Sequence, residues 1–377
     1  MRKVNIDQAM EIIRFNARVM NTVTFIWGQF GVGKSQMMRQ LASEDEDDWL
    51  CDIRAGMFEG VDFRGLPDHA THGTGKDKVQ LTVWNIPSVL PVVGNPKFTG
   101  CKGIIWMFLD EANSAKADVQ GILYQLAEDR QAGEHVLLPN VRIVMAGNRE
   151  GIDKGVVVKQ PLPLSNRINH IEVIVSTKQW IKYQRARGVL PALCYAFYEF
   201  RPALLNTYNP GDPKQVGVKT IATPRSSERA WMVYASKAKL SDIARDAIMA
   251  GWVGEGVAAE IASFAKIWDM IKNYMPEVRR DPEGCILPKQ AYLDYARSQG
   301  LTDMPADAGL GLQCAVAIAI SGEINLKNAN HLYKFLKRLT QDFTIMAVQY
   351  ALERDAELYE TDMFIDYSVV YKQVFQR

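Results

Sequence analysis

The chain has 377 residues, enough for two or three domains, and its 47% hydrophobic, 10% aromatic and 23% charged side chains exclude wholesale disorder. With 44 Lys and Arg against 43 Asp and Glu, the formal net charge is +1, so the composition does not advertise the broad basic face of a nucleic-acid binder. The 27 glycines and 16 prolines are too few for a collagen-like or low-complexity scaffold.

Residues 7–20 carry Ala9, Ile12, Ile13, Ala17 and Met20 at helical spacing, which predicts a helix with Asp7 as its cap. Asp7 and Glu11 among those apolar positions argue against a signal peptide. A short apolar strand over 23–27 is followed by a glycine-rich turn and a helix over 35–42. The acidic run 44–48 reads as a solvated loop, and a second strand covers 49–53. Residues 56–103, rich in Gly, Pro and polar side chains, read as inserted loops and hairpins. Residues 104–109 form an unbroken apolar run of the kind buried in a parallel sheet. A helix over 115–129 and strands over 141–146 and 168–175 complete an alternating pattern, which predicts an α/β domain with helices on both faces of a parallel sheet.

Beyond Ser176 the pattern becomes helical, with helices expected over 180–187, 192–200, 224–239, 241–252 and 258–274 and a loop over 207–223. The expected domains are therefore an α/β domain over 1–175, a helical lid over 176–275 and a mostly helical segment over 276–377. The longest late apolar run, 315–320, is too short to span a bilayer. Cys51, Cys101, Cys194, Cys285 and Cys314 stand far apart with no C-x-x-C pair, which argues against a disulfide framework or a structural zinc and for a reducing compartment. A cytoplasmic location is the expectation, with no membrane partner.

The run Gly28-Gln29-Phe30-Gly31-Val32-Gly33-Lys34-Ser35, with Gln36 after it, matches G-x-x-x-x-G-K-[ST] at every fixed position, between a strand and a helix. Backbone N–H groups of such a loop wrap a triphosphate, and side chains at Gly28 or Gly33 would obstruct them. The helix that follows points its positive end at the same phosphates. Lys34 is placed to reach the β- and γ-phosphates and Ser35 to ligate Mg²⁺, so ATP and Mg²⁺ are the expected ligands.

The run over 104–109 ends in Asp110-Glu111. Asp110 suits the outer shell of the Mg²⁺, and Glu111 suits a base that orients and deprotonates an attacking water. Asn148, after the strand 141–146, is suited to hydrogen-bond the γ-phosphate or that water. Arg167 precedes the last strand, and Arg225 follows Thr223 and Pro224 at a helix start, with Thr223 as cap. Either arginine could spread charge over a transferring phosphoryl group, although surface arginines more often form salt bridges. Arg229, one turn after Arg225, offers the same chemistry.

Taken together, these runs resemble the AAA+ ATPases, and in detail their MoxR-like group, over about residues 1–275. The resemblance is carried by the phosphate loop and by Asp62-Phe63-Arg64-Gly65-Leu66-Pro67, Leu109-Asp110-Glu111-Ala112-Asn113 and residues 120–126 with Glu128 and Arg130. It extends to Ala146-Gly147-Asn148, Leu164-Ser165-Asn166-Arg167-Ile168 and Thr223-Pro224-Arg225. It implies that Lys34, Ser35, Asp110 and Glu111 are the Walker A and B residues, Asn148 sensor 1, Arg167 the arginine finger and Arg225 sensor 2. It further implies an insertion over roughly 60–100, a hairpin over 130–140 turning at Gly133, and a hexameric ring whose pore these insertions face. A partner protein, in this group typically one with a von Willebrand factor A domain, would be remodelled. Two positions depart from the pattern: Ser114 stands where an Arg is common, and Arg149 follows Asn148 where Pro is common. Arg149 is thereby a second candidate for a cation near the site.

The resulting expectation is ATP hydrolysis by a ring coupled to remodelling of a partner protein. A nucleic-acid motor or restriction-type NTPase is the alternative, with Lys76, Lys97 or Lys102 as local contacts, and a nucleotide-gated assembly scaffold is the non-enzymatic one. No guanine-specific Asn-Lys-x-Asp motif is present, and the five histidines form no metal-binding spacing.

Overall fold

The computed structural model describes residues 1–73, 78–149, 152–153, 165–215, 217–236, 238–298 and 308–371. Lys76 and the residues 161–164 that lead to Arg167 lie outside them. Residues 1–176 and 209–217 form one unit, and 177–208 and 218–377 form another.

In chain order the first unit runs β1 (Lys3–Val4), α1 (Ile6–Phe15), β2 (Thr24–Trp27), α2 (Lys34–Ala42), β3 (Trp49–Arg54) and α3 (Gly60–Arg64). It continues through β4 (Pro67–His72), β5 (Val79–Trp84), β6 (Ile105–Asp110), α4 (Ala117–Glu128), β7 (Gln131–Ala132), β8 (His135–Val136), β9 (Val141–Gly147) and β10 (Asn169–Val173). Among the described residues, six strands make one parallel sheet in the order β1-β10-β2-β9-β6-β3. The parallel sheet between helices expected from the alternating pattern is thus present.

Alternation along each central strand feeds two cores, because successive side chains point to opposite faces. Trp106 and Phe108 of β6, with Val144 and Ala146 of β9, pack beside Met37, Met38 and Leu41 of α2 and Ile13 of α1. Met107 and Leu109, with Ile143 and Met145, pack on the other face against Val119, Ile122, Leu123 and Leu126 of α4. A strand buried on both faces reads as a continuous apolar run, which is why β6 was conspicuous in the sequence.

Two local expectations are corrected. The first helix is capped by Asn5, not Asp7: the Asn5 side chain accepts from the Gln8 N–H at 2.9 Å, and the Gln8 side chain accepts from the Asn5 N–H at 3.1 Å. This reciprocal box starts α1 one residue earlier than expected; α1 ends at Phe15 and gives way to a π-helical turn over Asn16–Met20. The acidic run 44–48 is not simply solvated. Asp48 accepts from the Ile104 N–H at 2.6 Å and from the Trp106 indole N–H at 2.8 Å, which anchors the start of β6.

Two hairpins leave the sheet. β4 and β5 pair antiparallel over the inserted region, exposing Val79, Leu81 and Val83. β7 and β8 pair around Gly133, whose φ of 62° lies in the left-handed region favoured by glycine. The Gln125 amide clasps Gly133 by both its N–H and its carbonyl, at 2.9 and 3.1 Å.

The second unit is helical: α5 (Thr177–Arg187), α6 (Ala192–Phe200), α7 (Pro224–Ala235), α8 (Asp242–Val253) and α9 (Glu255–Arg280), then α10 (Pro288–Ser298), α11 (Ala308–Glu323), α12 (Ala329–Leu336), α13 (Gln341–Arg354) and α14 (Asp362–Val370). Thr223 caps α7 with Pro224 in its first turn, as expected. Helix α9 passes through Pro276, and of the residues expected to form the lid and the C-terminal segment all but Ser176 and residues 209–217 lie in this second unit. The apolar run 315–320 belongs to α11, where Leu312, Ala315, Val316 and Ile320 are fully buried and the helix packs against α6, α9, α10 and α13. No helix of the described residues is long and apolar enough to cross a membrane.

Replacing Asp48 leaves two donors at the start of β6 without their acceptor. We expect Asp48→Ala to lower unfolding stability by about 1–3 kcal/mol in denaturant titration, whereas Asp47→Ala, at an exposed neighbour, should change it far less.

Candidate functional site

A parallel sheet collects the carboxyl ends of its strands along one edge. Here β2, β9 and β6 are neighbours, with Trp27 opposite Gly147 and Leu109 opposite Met145. Gly28, Asn148 and Asp110 therefore emerge side by side although they are far apart in sequence. Ligands of open α/β sheets bind at this edge.

The loop after β2 is built for close backbone approach. Gly31 and Gly33 hold φ of 73° and 108°, which only glycine adopts without strain. A Cβ at Gly28 would come within 2.9 Å of the Val173 carbonyl oxygen. Gln29 and Val32 are buried, while Phe30 and Gln36 are exposed. Lys34 opens α2 and is only 9% exposed. Its ammonium donates to the carbonyls of Gly28 at 2.6 Å and Gln29 at 3.1 Å and lies 3.4 Å from the Asn148 side-chain oxygen. The charge is thus fixed beneath the loop, at the positive end of a helix.

Ser35, next on α2, donates its hydroxyl proton to the Asp110 carboxylate at 2.6 Å. A hydroxyl and a carboxylate in contact are the oxygen donors that a hard divalent cation takes, and this pair fits Mg²⁺. Among the described residues no group of three or more His, Cys, Asp or Glu is arranged to hold a metal by itself. Glu111 follows in the left-handed region, with φ of 56°, a conformation that costs a non-glycine residue of order 1 kcal/mol. Its N–H donates to Asp110 at 2.9 Å, and its side chain is exposed with an oxygen 3.5 Å from where a Cβ on Gly56 would stand.

One residue of this edge was passed over as a site residue. Asn113, fully buried, donates its side-chain N–H to the Asn148 carbonyl at 2.7 Å. It appeared in the sequence only as part of a matching run. An amide three residues after a carboxylate carries no local signal, since its partner lies 35 residues away.

The arginines sort differently. Arg149 is engaged within its own unit: its guanidinium bonds Asp153 at 2.7 and 3.1 Å and Glu172 at 3.3 Å. The Asp153 hydrogen bond is the main reason its pKa is raised further. Arg167 is 37% exposed, ion-paired with Glu128 at the end of α4 and 5.1 Å from the centre of the Tyr124 ring. Arg130 is pinned inside its own hairpin region, donating to the Val141 carbonyl at 2.8 Å. Arg225 and Arg229 are exposed on α7, in the second unit.

No family model matches this chain, and no curated protein does. Among solved structures it is similar to a mutant of RuvB from Thermotoga maritima, with 14% identity, 80% of this chain and 81% of that chain covered, and a TM-score of 0.34. It is also similar to a RuvB structure from the same organism described as a Holliday junction branch migration motor, with 15% identity, 80% of each chain covered and a TM-score of 0.33. NtrX from Brucella abortus in complex with ADP gives 13% identity, 98% and 67% coverage and a TM-score of 0.36. These likenesses are remote, and the α/β assignment stands on the strand order and packing of the chain itself.

The contact between Gly28 and Val173 supplies a direct test of the loop. Gly28→Ala forces the loop off the backbone of β10, and we expect Mg·ATP affinity to fall at least about tenfold in equilibrium titration. Gly251→Ala, where a Cβ meets nothing within 4 Å, should leave it unchanged.

Proposed function

We propose that this chain is a Mg²⁺-dependent ATPase of the AAA+ type, assembling as a ring that remodels a partner protein. The observation that carries the reading is the Ser35–Asp110 hydrogen bond beside the buried Lys34, at the carboxyl edge of β2, β9 and β6. The motif order and the sheet order support the same family, and the MoxR-like runs support that group within it.

In this reading the loop N–H groups and Lys34 bind and orient the triphosphate, and Ser35 and Asp110 hold the Mg²⁺, which when bound offsets charge on the phosphate oxygens. Glu111, exposed next to that pair, orients a water and takes its proton on a carboxylate oxygen as the water oxygen bonds to the γ-phosphorus and the bond from that phosphorus to the β–γ bridging oxygen breaks, releasing ADP and phosphate. Asn148 orients the same water or the γ-phosphate from the neighbouring strand. Arg167 acts on an adjacent copy. Its exposure, with the side chain steadied by Glu128 and Tyr124, suits a group presented to a neighbour, and an arginine supplied in trans contributes ~10³–10⁵ in rate. Such a head-to-tail contact closes into a ring, for which six copies is our reading. Arg225 serves as the second sensor from α7. The partner is a protein, with a von Willebrand factor A domain as the type the resemblance favours, and the cytoplasm is the location proposed.

Glu111→Gln should lower turnover per subunit by about 10²–10⁴ while ATP binding persists. Unchanged turnover would remove Glu111 as the base, and ATP-driven assembly without turnover in the unaltered protein would favour the scaffold. Specific activity should rise with protein concentration. Mixing Lys34→Ala with Arg167→Ala chains should restore part of the hydrolysis that each lacks alone, measured by phosphate release. No rescue between folded, assembled variants would contradict a trans-acting Arg167.

A further inference from the structure

Asn113 occupies the 3₁₀ turn Ala112–Ser114, which begins directly after Glu111. The turn is held from three sides. The Ser114 N–H donates to the Glu111 carbonyl at 2.9 Å, and the buried Gln120 amide of α4 donates to the Ala112 carbonyl at 2.7 Å. The Asn113 amide crosses to the end of β9 and donates to the Asn148 carbonyl at 2.7 Å. The donor assignment is forced, because only the nitrogen end of an amide can face a carbonyl oxygen. Its other end, Oδ1, is buried against Gly147 with no hydrogen-bond partner among the described residues. A Cβ at Gly147 would overlap that oxygen and also come within 3.0 Å of the Phe25 ring. Glycine at 147 therefore leaves the room that the Asn113 amide fills.

A buried amide oxygen without a partner is costly, and the fold bears that cost at Asn113 while the other end of the same amide holds the Asn148 carbonyl. We propose that Asn113 is a positioning residue for hydrolysis. Its amide fixes the backbone at Asn148, and so the direction in which the Asn148 side chain faces Lys34, relative to the Glu111 turn on which Asn113 itself rides. The inference rests on the hydrolysis reading above, and it assigns Asn113 no contact with nucleotide or water.

The test is a double-mutant cycle on the full chain, reading phosphate release for kcat and equilibrium titration for Mg·ATP affinity. Asn113→Ala should lower kcat about tenfold and leave the Mg·ATP Kd within about twofold. Combined with Asn148→Ala, it should change kcat by less than about twofold further, because Asn113 acts through Asn148. A kcat unchanged by Asn113→Ala would overturn the proposal. So would losses that multiply in the double variant, or a parallel loss of kcat and affinity. If Asn113→Ala does not fold, Asn113→Ser, whose hydroxyl is too short to reach the Asn148 carbonyl, enters the same cycle. Unaltered protein that hydrolyses no ATP would sink the hydrolysis reading itself, whereas Lys34-dependent hydrolysis indifferent to Asn113 would sink this inference alone.

Discussion

A hydroxyl at the start of α2 and a carboxylate 75 residues later share one short hydrogen bond, and the rest of the site is arranged around it. The bond exists because β2 and β6 flank β9 in a parallel sheet, so that the glycine-rich loop after β2 and Asp110 leave the same edge. Burial on both faces sets the register: Trp106 and Phe108 turn to α2, and Met107 and Leu109 to α4. A one-residue slip of β6 would exchange those two sets and carry Asp110 away from Ser35. The packing of the sheet and the placement of the carboxylate are the same constraint.

The charges at this edge are managed by the chain's own groups. Lys34 is buried, yet its ammonium is satisfied by two loop carbonyls and sits within reach of Asn148. Burying a cation without such partners would be costly. Arg149, immediately after Asn148, is drawn into a cluster with Asp153 and Glu172, whereas Arg167, just before β10, stays at the surface and pairs with Glu128 of α4. Two arginines that look alike in sequence thus have different availability, decided by which carboxylates the fold brings near.

Much of this was legible in the sequence where the determinants are local. The glycine-rich loop over 28–35 was visible because its glycines and Lys34-Ser35 are dictated by chain geometry within eight residues. The central strands were visible as unbroken apolar runs, and the α7 start as Thr223-Pro224. What escaped depends on distant partners. Asp48 reads as one more acid in a charged run until Trp106 is seen to donate to it. Asn113 reads as a turn residue until Asn148 is seen across from it. The α1 cap was misplaced to Asp7 because the reciprocal pairing of Asn5 with Gln8 competes with the simpler rule of an acid ahead of an apolar stripe. Residues 315–320 lie inside a helix, as the mostly helical segment expected over 276–377 implies, and the run was too short for a span.

The proposed activity requires a Mg²⁺-linked nucleotide to be held over Lys34 and the Ser35–Asp110 pair. Isothermal titration of ATP into the protein, with Mg²⁺ and then with chelator, measures this without relying on turnover, assembly or a partner. We predict one site per chain, weakened by removal of Mg²⁺ and by Asp110→Ala, and lost on the scale of about 100-fold in Lys34→Ala. Binding of equal strength in all four conditions, or no binding to the unaltered chain, would contradict it.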